Sequence, residues 1–228
     1  MNKELLAVDK LLDLTETIAN KIFESINFPW EVLSEIESFI MHLGPTLSEE
    51  KFYKCGQDIW IAKSAQISKS ASLSGPLIID EKADVRHCAF IRKNAIIGKN
   101  AVVGNSTELK NTILFNNVQV PHYNYVGDSI LGYKAHLGAG AITSNVKSTH
   151  GEVSVSFGEE KIATNLKKFG AIIADNVEIG CNTVLNPGTI VGKNSVIYPL
   201  QSVRGFIPEN CIYKSAQVKV KRQPAQEK

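Results

Sequence analysis

From Ile61 onward every sixth residue is aliphatic: Ile61, Ile67, Leu73, Ile79, Val85, Ile91, Ile97 and Val103. The residue four places later is nearly always small, as at Ala65, Ala71, Ala83, Ala89, Ala95, Ala101 and Thr107. The rhythm returns after Lys168, at Ile173, Ile179, Leu185, Val191, Ile197 and Val203. A period of six fits neither a helix, at about 3.6 residues per turn, nor a lone strand, at about 2. It fits a coil with three flat sides, each side a short strand and each corner a tight turn. The aliphatic residues then point inward and stack from coil to coil. Gly and Asn, as in "GKN" and "ADN", serve corners that need positive φ. The chain is therefore expected to be mainly β, a hexapeptide-repeat parallel β-helix over residues 56–213.

Residues 1–55 read differently. Helical spacing runs over 3–26 and 30–43, clearest at Val32, Leu33, Ile36, Phe39, Ile40 and Leu43,. Pro29 suits a first turn and Gly44–Pro45 a stop. So short a helical segment buries little core alone. It is expected to pack on the prism or on a neighbouring subunit, as a cap on the first coil or an oligomer contact. Residues 214–228 read as a basic tail.

The net charge of +2 gives no reason to invoke nucleic acid,. No apolar run approaches the roughly 20 residues a membrane span needs, and the N-terminus lacks a signal-peptide core. A cytoplasmic protein without membrane partners is expected. Cys55, Cys88, Cys181 and Cys211 are widely spaced with no CxxC pair, which argues against a zinc or disulfide framework,.

The repeat breaks twice. Leu114, Val120 and Val126 keep the spacing of six, but Leu131 follows after five. Between Asn145 and Lys168 the rhythm disappears, and the alternating Val153, Val155 and Phe157 read as one arm of a hairpin inserted near 146–168. Loops thrown out of a solenoid often make its binding site. Between the breaks lies "PHYNYVGDSILGYKAHLGAGAITSN", Pro121–Asn145, with two of the five histidines.

This stretch resembles the acetyltransferase half of the bifunctional glucosamine-1-phosphate acetyltransferase/N-acetylglucosamine-1-phosphate uridyltransferase family, nearest its archaeal-type sugar-phosphate branch. The motifs are His122–Tyr125–Gly127–Asp128, then Leu137–Gly138–Ala139–Gly140–Asn145, with "GNSTELK" (Gly104–Lys110) upstream. The likeness covers roughly residues 60–212. It implies a left-handed β-helix and a homotrimer that binds acetyl-CoA between subunits, with no metal required. By position, His122 is implied as general base and Asn145 as a second catalytic residue. Arg92, Lys110, Tyr125, His136 and Lys168 are implied to hold an amino sugar phosphate. Ala139, Gly140, Cys181 and Pro199 are implied to line the CoA groove. Two departures stand out: His136 replaces a usual Asn, and Pro199 a usual small residue. The 55 N-terminal residues are also expected not to host the family's nucleotide-binding half.

The chemistry suits these residue types. Histidine is a base whose neutral form is populated near working pH. Backbone N–H groups around Gly138–Gly140 can approach an oxyanion, and Arg and Lys can hold a phosphate. On the residues alone, bland roles stay open: His122 after Pro121 as a turn, Arg92, Lys110 and Lys168 as solvated surface, Asn145 as a turn residue, Cys181 as packing. The expectation is an acetyl-CoA-dependent N-acetyltransferase acting on an amino sugar phosphate or nucleotide-linked amino sugar. The alternative is a non-catalytic β-helix scaffold or regulatory subunit related to sugar nucleotidyltransferases. A γ-class carbonic anhydrase shares the fold but needs two histidines five residues apart, a pair this sequence lacks.

Overall fold

The structure, a computed structural model, describes residues 2–215 and 218–221. Of the basic tail, residues 216–217 and 222–228 lie outside the described residues, and Val218–Lys221 pairs antiparallel with Cys211–Ser215.

The hexads wind into the expected left-handed parallel β-helix. On the first of its three faces, which we term face I, the inward column runs Ile61, Ile79, Ile97, Leu114, Leu131, Ile173, Val191 and Ile207, each in register with the next. Face II carries Ile67, Val85, Val103 and Val120, and resumes at Leu137, Ile179 and Ile197. Face III carries Leu73, Ile91, Leu109 and Val126. Small polar residues at the small inward place are fully buried and return their hydroxyls to carbonyls of the next coil: Thr107 to Val120 at 3.0 Å, Thr112 to Ser129 at 2.7 Å and Ser195 to Pro208 at 2.8 Å. A buried hydroxyl without such a bond costs about 1–3 kcal/mol, so the hydroxyl is tolerated only because the corner supplies an acceptor.

Face I is apolar on both sides. Its outward column, Ile78, Ile96, Ile113, Ile130, Ile172 and Ile190, is fully buried, and burial of each side chain contributes about 1.5–3 kcal/mol. Two elements cover it. The N-terminal segment lies lengthwise along the face: Glu37 reaches Asn94, the Leu33 carbonyl accepts from Asn111, Phe23 meets Phe115 edge-on at 5.8 Å, and the Leu11 carbonyl accepts from Asp175 N–H. Farther along, the inserted hairpin, strands Val153–Phe157 and Glu160–Leu166, buries Val153, Val155 and Phe157, with the Phe157 ring 5.1 Å from that of Phe206.

The N-terminal segment is thus a sheath along a face, not a cap over an end. Among the described residues only Val8–Leu11 and Ile36–Leu43 are α-helical; the rest of the spacing read as helix is mostly short 3-10 turns such as Lys3–Leu6 and Asn20–Phe23. Extended residues at Ala7, Leu12 and Thr17 interrupt the run, and the apolar spacing follows the column of isoleucines beneath. The first coil is instead edged by Phe52–Lys54, antiparallel to Ile59–Ala62. Gly44 closes the sheath there: a Cβ would fall 2.5 Å from the Trp60 ring.

Asp80, at the end of strand Leu77–Ile79, is 1% exposed; one carboxylate oxygen accepts from Glu81 N–H, and the other has no partner among the described residues. Burial pushes its pKa above the usual carboxylate value. The folded chain therefore holds a proton that the unfolded chain releases, and folding stability rises as pH falls toward the unfolded value. Asp80→Asn is expected to be more stable than the parent near pH 8, by on the order of 1 kcal/mol. Urea unfolding across pH should show the difference shrinking on acidification; a variant less stable at every pH would contradict this.

Candidate functional site

Both breaks in the repeat converge on one corner, between faces III and I. Strands Phe90–Ile97, Glu108–Leu114 and Tyr125–Leu131 run through it without ending. In the first of these Lys93 and Asn94 both take positive φ; in the next two, one residue shorter between inward positions, the turn is made by Asn111 (φ 51°) and Asp128 (φ 47°) alone. Asn and Asp tolerate this left-handed geometry best among non-glycine residues. The shortening that appeared as a slipped hexad thus stacks Asn94, Asn111 and Asp128 at one edge. The second break opens and closes there too. The chain leaves the stack after Asn145 and returns at Phe169 and Gly170, whose N–H groups donate to Asn145 O at 3.0 Å and Asp128 O at 2.8 Å.

Asp128 organises the corner. Its carboxylate, 4% exposed, accepts from Lys110 Nζ at 3.0 and 2.9 Å, from Asn111 Nδ2 at 2.9 Å, and from Asn145 Nδ2. Asn145 Nδ2 also donates to the Tyr125 hydroxyl at 3.2 Å. Tyr125 bends back over Gly127, where a Cβ would fall 2.5 Å from the hydroxyl, so only glycine leaves room. Burial, then the Asp128 and Glu108 carboxylates, push the Tyr125 pKa up, which keeps its proton available for donation. Glu108 accepts from Arg92 Nε and Nη2, both at 2.7 Å. Four sequence-named residues, Arg92, Lys110, Tyr125 and Asn145, therefore meet, and Lys168 stands exposed beside Phe169.

The remaining residues lie elsewhere. His122 ends strand Gln119–His122 at the corner between faces II and III, with its side chain exposed. Its carbonyl accepts from Gly140 N–H at 3.0 Å, and the Ala139 carbonyl accepts from Asn182 N–H at 2.8 Å. The Cys181 carbonyl takes the Leu200 N–H at 2.9 Å in the same way. His122, Ala139, Cys181 and Pro199 thus succeed one another along this corner, coil by coil, with Gly140 at the neighbouring left-handed position. Within one chain the His122 ring makes no hydrogen bond to a described residue. His136 is on face II, its Nδ1 2.7 Å from Glu178 Oε2 in the next coil; it belongs to neither group.

Three residues of weight were missed. Asp128 and Glu108 sat within the quoted motifs as letters without a role. Asn124 occupies the small inward place held by Ala89, Thr107 and Ala141; it is 2% exposed, accepts from His122 N–H at 3.1 Å, and donates to the carbonyls of Gly138 at 2.8 Å and Ala141 at 3.0 Å. A long amide where the hexad wants a small residue was the available signal. Among the described residues no three His, Cys, Asp or Glu side chains are arranged to hold a metal ion, and no helix is long and apolar enough to cross a membrane.

The fold and its broken corner define a hexapeptide-repeat β-helix whose outer features are concentrated where the repeat fails. Residues 73–167 match the family described as "GMPPB C-terminal domain". The chain is 35% identical over 116 residues to "Bifunctional protein GlmU" of Methanococcus aeolicus, covering 50% of this chain and 28% of that protein. It is 33% identical over 92 residues to "Bifunctional sugar-1-phosphate nucleotidylyltransferase/acetyltransferase" of Sulfurisphaera tokodaii, covering 40% and 23%. The resemblance drawn from the motifs is borne out, and the chain spans only about a quarter of those relatives' length. Among solved structures, a mutant of AntD, an N-acyltransferase from Bacillus cereus in complex with dTDP and coenzyme A, aligns over 76% of this chain and 91% of its own, at 15% identity and a TM-score of 0.41.

Proposed function

We propose that this chain is an acyltransferase that moves an acetyl group from acetyl-CoA to the amine of an amino sugar phosphate or nucleotide-linked amino sugar. The observation that carries this reading is the convergence of both repeat breaks on one polar corner, with an exposed imidazole at the next corner. Bound acetyl-CoA would supply a thioester carbonyl. The row above His122 shrinks to a methyl, a thiol and a pyrrolidine ring, which suits a long, largely apolar chain lying along the corner. His122 takes the proton from the attacking amine. The corner at Asp128 orients the acceptor: Tyr125 donates its proton, while the N–H groups of Arg92 not engaged by Glu108, together with Lys168, hold the phosphate. Lys110 and Asn145 work through Asp128 to fix this edge. His136, paired with Glu178, would touch an acceptor only if the latter extends onto face II.

Face I is sheathed, leaving faces II and III for other chains. A homotrimer that set one chain's His122 corner against a neighbour's Asp128 corner would unite the two groups, and we include that assembly in the proposal. A second reading, a non-catalytic scaffold, draws on the pairing of Arg92 and Lys110 with carboxylates, which satisfies both cations without a ligand. Thiol release from acetyl-CoA by the full chain, measured across glucosamine-1-phosphate and nucleotide-linked amino sugars, tests the proposal. Release with at least one acceptor is expected. No release, with no CoA binding by calorimetry, would leave the scaffold.

A further inference from the structure

Cys88 lies on the same corner as His122, two coils nearer the N-terminus, and the proposed mechanism does not use it. Its Sγ is 3.2 Å from His87 Nε2. His87 Nδ1 is 2.7 Å from Ser70 Oγ, the Cys88 N–H donates to that same oxygen at 3.2 Å, and Ser70 Oγ is 3.0 Å from Ser68 Oγ. Two proton arrangements satisfy these contacts, because the Ser70 hydroxyl can either accept from His87 Nδ1 or donate to it, and the inference takes the first. A hydroxyl oxygen accepts twice and donates once. If Ser70 Oγ accepts from Cys88 N–H and from His87 Nδ1–H, its own proton goes to Ser68. His87 then carries its hydrogen on Nδ1 and presents a bare Nε2 lone pair to the thiol. Nucleophile, base and a third group orienting the base are the three parts of an activated nucleophile. The His87 backbone is tethered as well, its carbonyl accepting from Asn105 Nδ2 at 3.1 Å.

We infer that Cys88 is an activated thiol and a site of mixed-disulfide formation with low-mass disulfides. The imidazole takes the thiol proton. The thiolate attacks one sulfur of the disulfide, a new S–S bond forms as the old one breaks, and the departing thiolate recovers the proton from His87. The co-reactant is the disulfide itself, and no other oxidant enters. His87, Cys88 and Ser70 are all exposed within one chain, and in the homotrimer proposed above the corner they share with His122 has to stay open to acetyl-CoA, so the reagent has access. Exposure alone does not single out Cys88, because Cys55 and Cys181 are exposed too; neither has an imidazole in hydrogen-bond contact among the described residues.

That contrast provides the test. The full chain is treated with dithiodipyridine at about pH 6, where an unassisted thiol is almost wholly protonated, and each cysteine is followed by peptide mapping. Cys88 is expected to react at least about 10-fold faster than Cys55 or Cys181, as a thiolate-forming site does. His87→Gln should bring it down to their rate, and Ser70→Ala should slow it by a smaller factor. Both substitutions fall on exposed side chains, and thermal melting checks that the fold is kept. Equal rates at the three cysteines, or a Cys88 rate untouched by His87→Gln, would overturn the inference. Labelling is read without substrate, so it stands or falls apart from acyl transfer.

Discussion

His122→Ala is expected to lower kcat/KM for acetyl transfer by about 10²- to 10⁴-fold, the usual contribution of a positioned general base, while barely changing the melting temperature. The two expectations rest on different features of the same residue. The side chain is exposed and makes no hydrogen bond to a described residue, so removing it should stay within about 0.5 kcal/mol, as for surface substitutions generally. The backbone is held independently of the ring: Asn124 takes the His122 N–H, and the His122 carbonyl takes the Gly140 N–H. Truncation therefore deletes the imidazole without relaxing the corner. A second readout separates base catalysis from a binding role. If His122 takes the amine proton, the loss should fall on kcat as well as on kcat/KM. A variant with parental kcat/KM, or one that loses activity only through KM, would end the assignment.

The repeat was legible because it is physical at every step: one aliphatic residue per strand must face the axis, and Ile61 through Ile207 do so in register. The corner was legible only as a disturbance. A hexad shortened by one residue between Val126 and Leu131 said that something changes near Asp128, but not that the coil before it is shortened at Asn111 and stacks a second short polar side chain beside the returning hairpin. Spacing was misleading between His122 and Tyr125. Three residues apart, they read as neighbours, yet the chain turns a corner between them and His122 joins Ala139, Cys181 and Pro199 instead. The sheath was misread for a related reason. Its apolar spacing answers a column of isoleucines on face I, so its local shape is set by what it covers. The warning lay in Leu77–Ile79 and Ala171–Ile173: consecutive apolar residues in a strand leave no side for water.

Asp128→Asn is expected to cost about 3–5 kcal/mol of folding stability, the penalty for breaking a buried ion pair from one side. The substitution keeps shape and left-handed backbone, since Asn adopts φ near that of Asp128 as readily, so backbone strain does not enter. What changes is charge and hydrogen-bond polarity. The carboxylate accepts only, and it is surrounded by donors: Lys110 Nζ, Asn111 Nδ2 and Asn145 Nδ2. An amide in its place offers N–H₂ toward at least one of them and leaves the Lys110 ammonium, 15% exposed, without a counter-charge. Asn111 also donates to the Leu33 carbonyl of the sheath, so a shifted corner loosens the cover of face I as well. Against a total stability of about 5–15 kcal/mol, the urea midpoint should fall steeply. Adding Lys110→Met should restore much of the loss, because the orphaned ammonium, not the missing bond, dominates the cost. The double-mutant cycle then reports a coupling well above the roughly 0.5 kcal/mol seen for independent sites. A single variant within about 0.5 kcal/mol of the parent, or additive losses in the double, would mean that Asp128 and Lys110 are a solvated pair like any other on the surface.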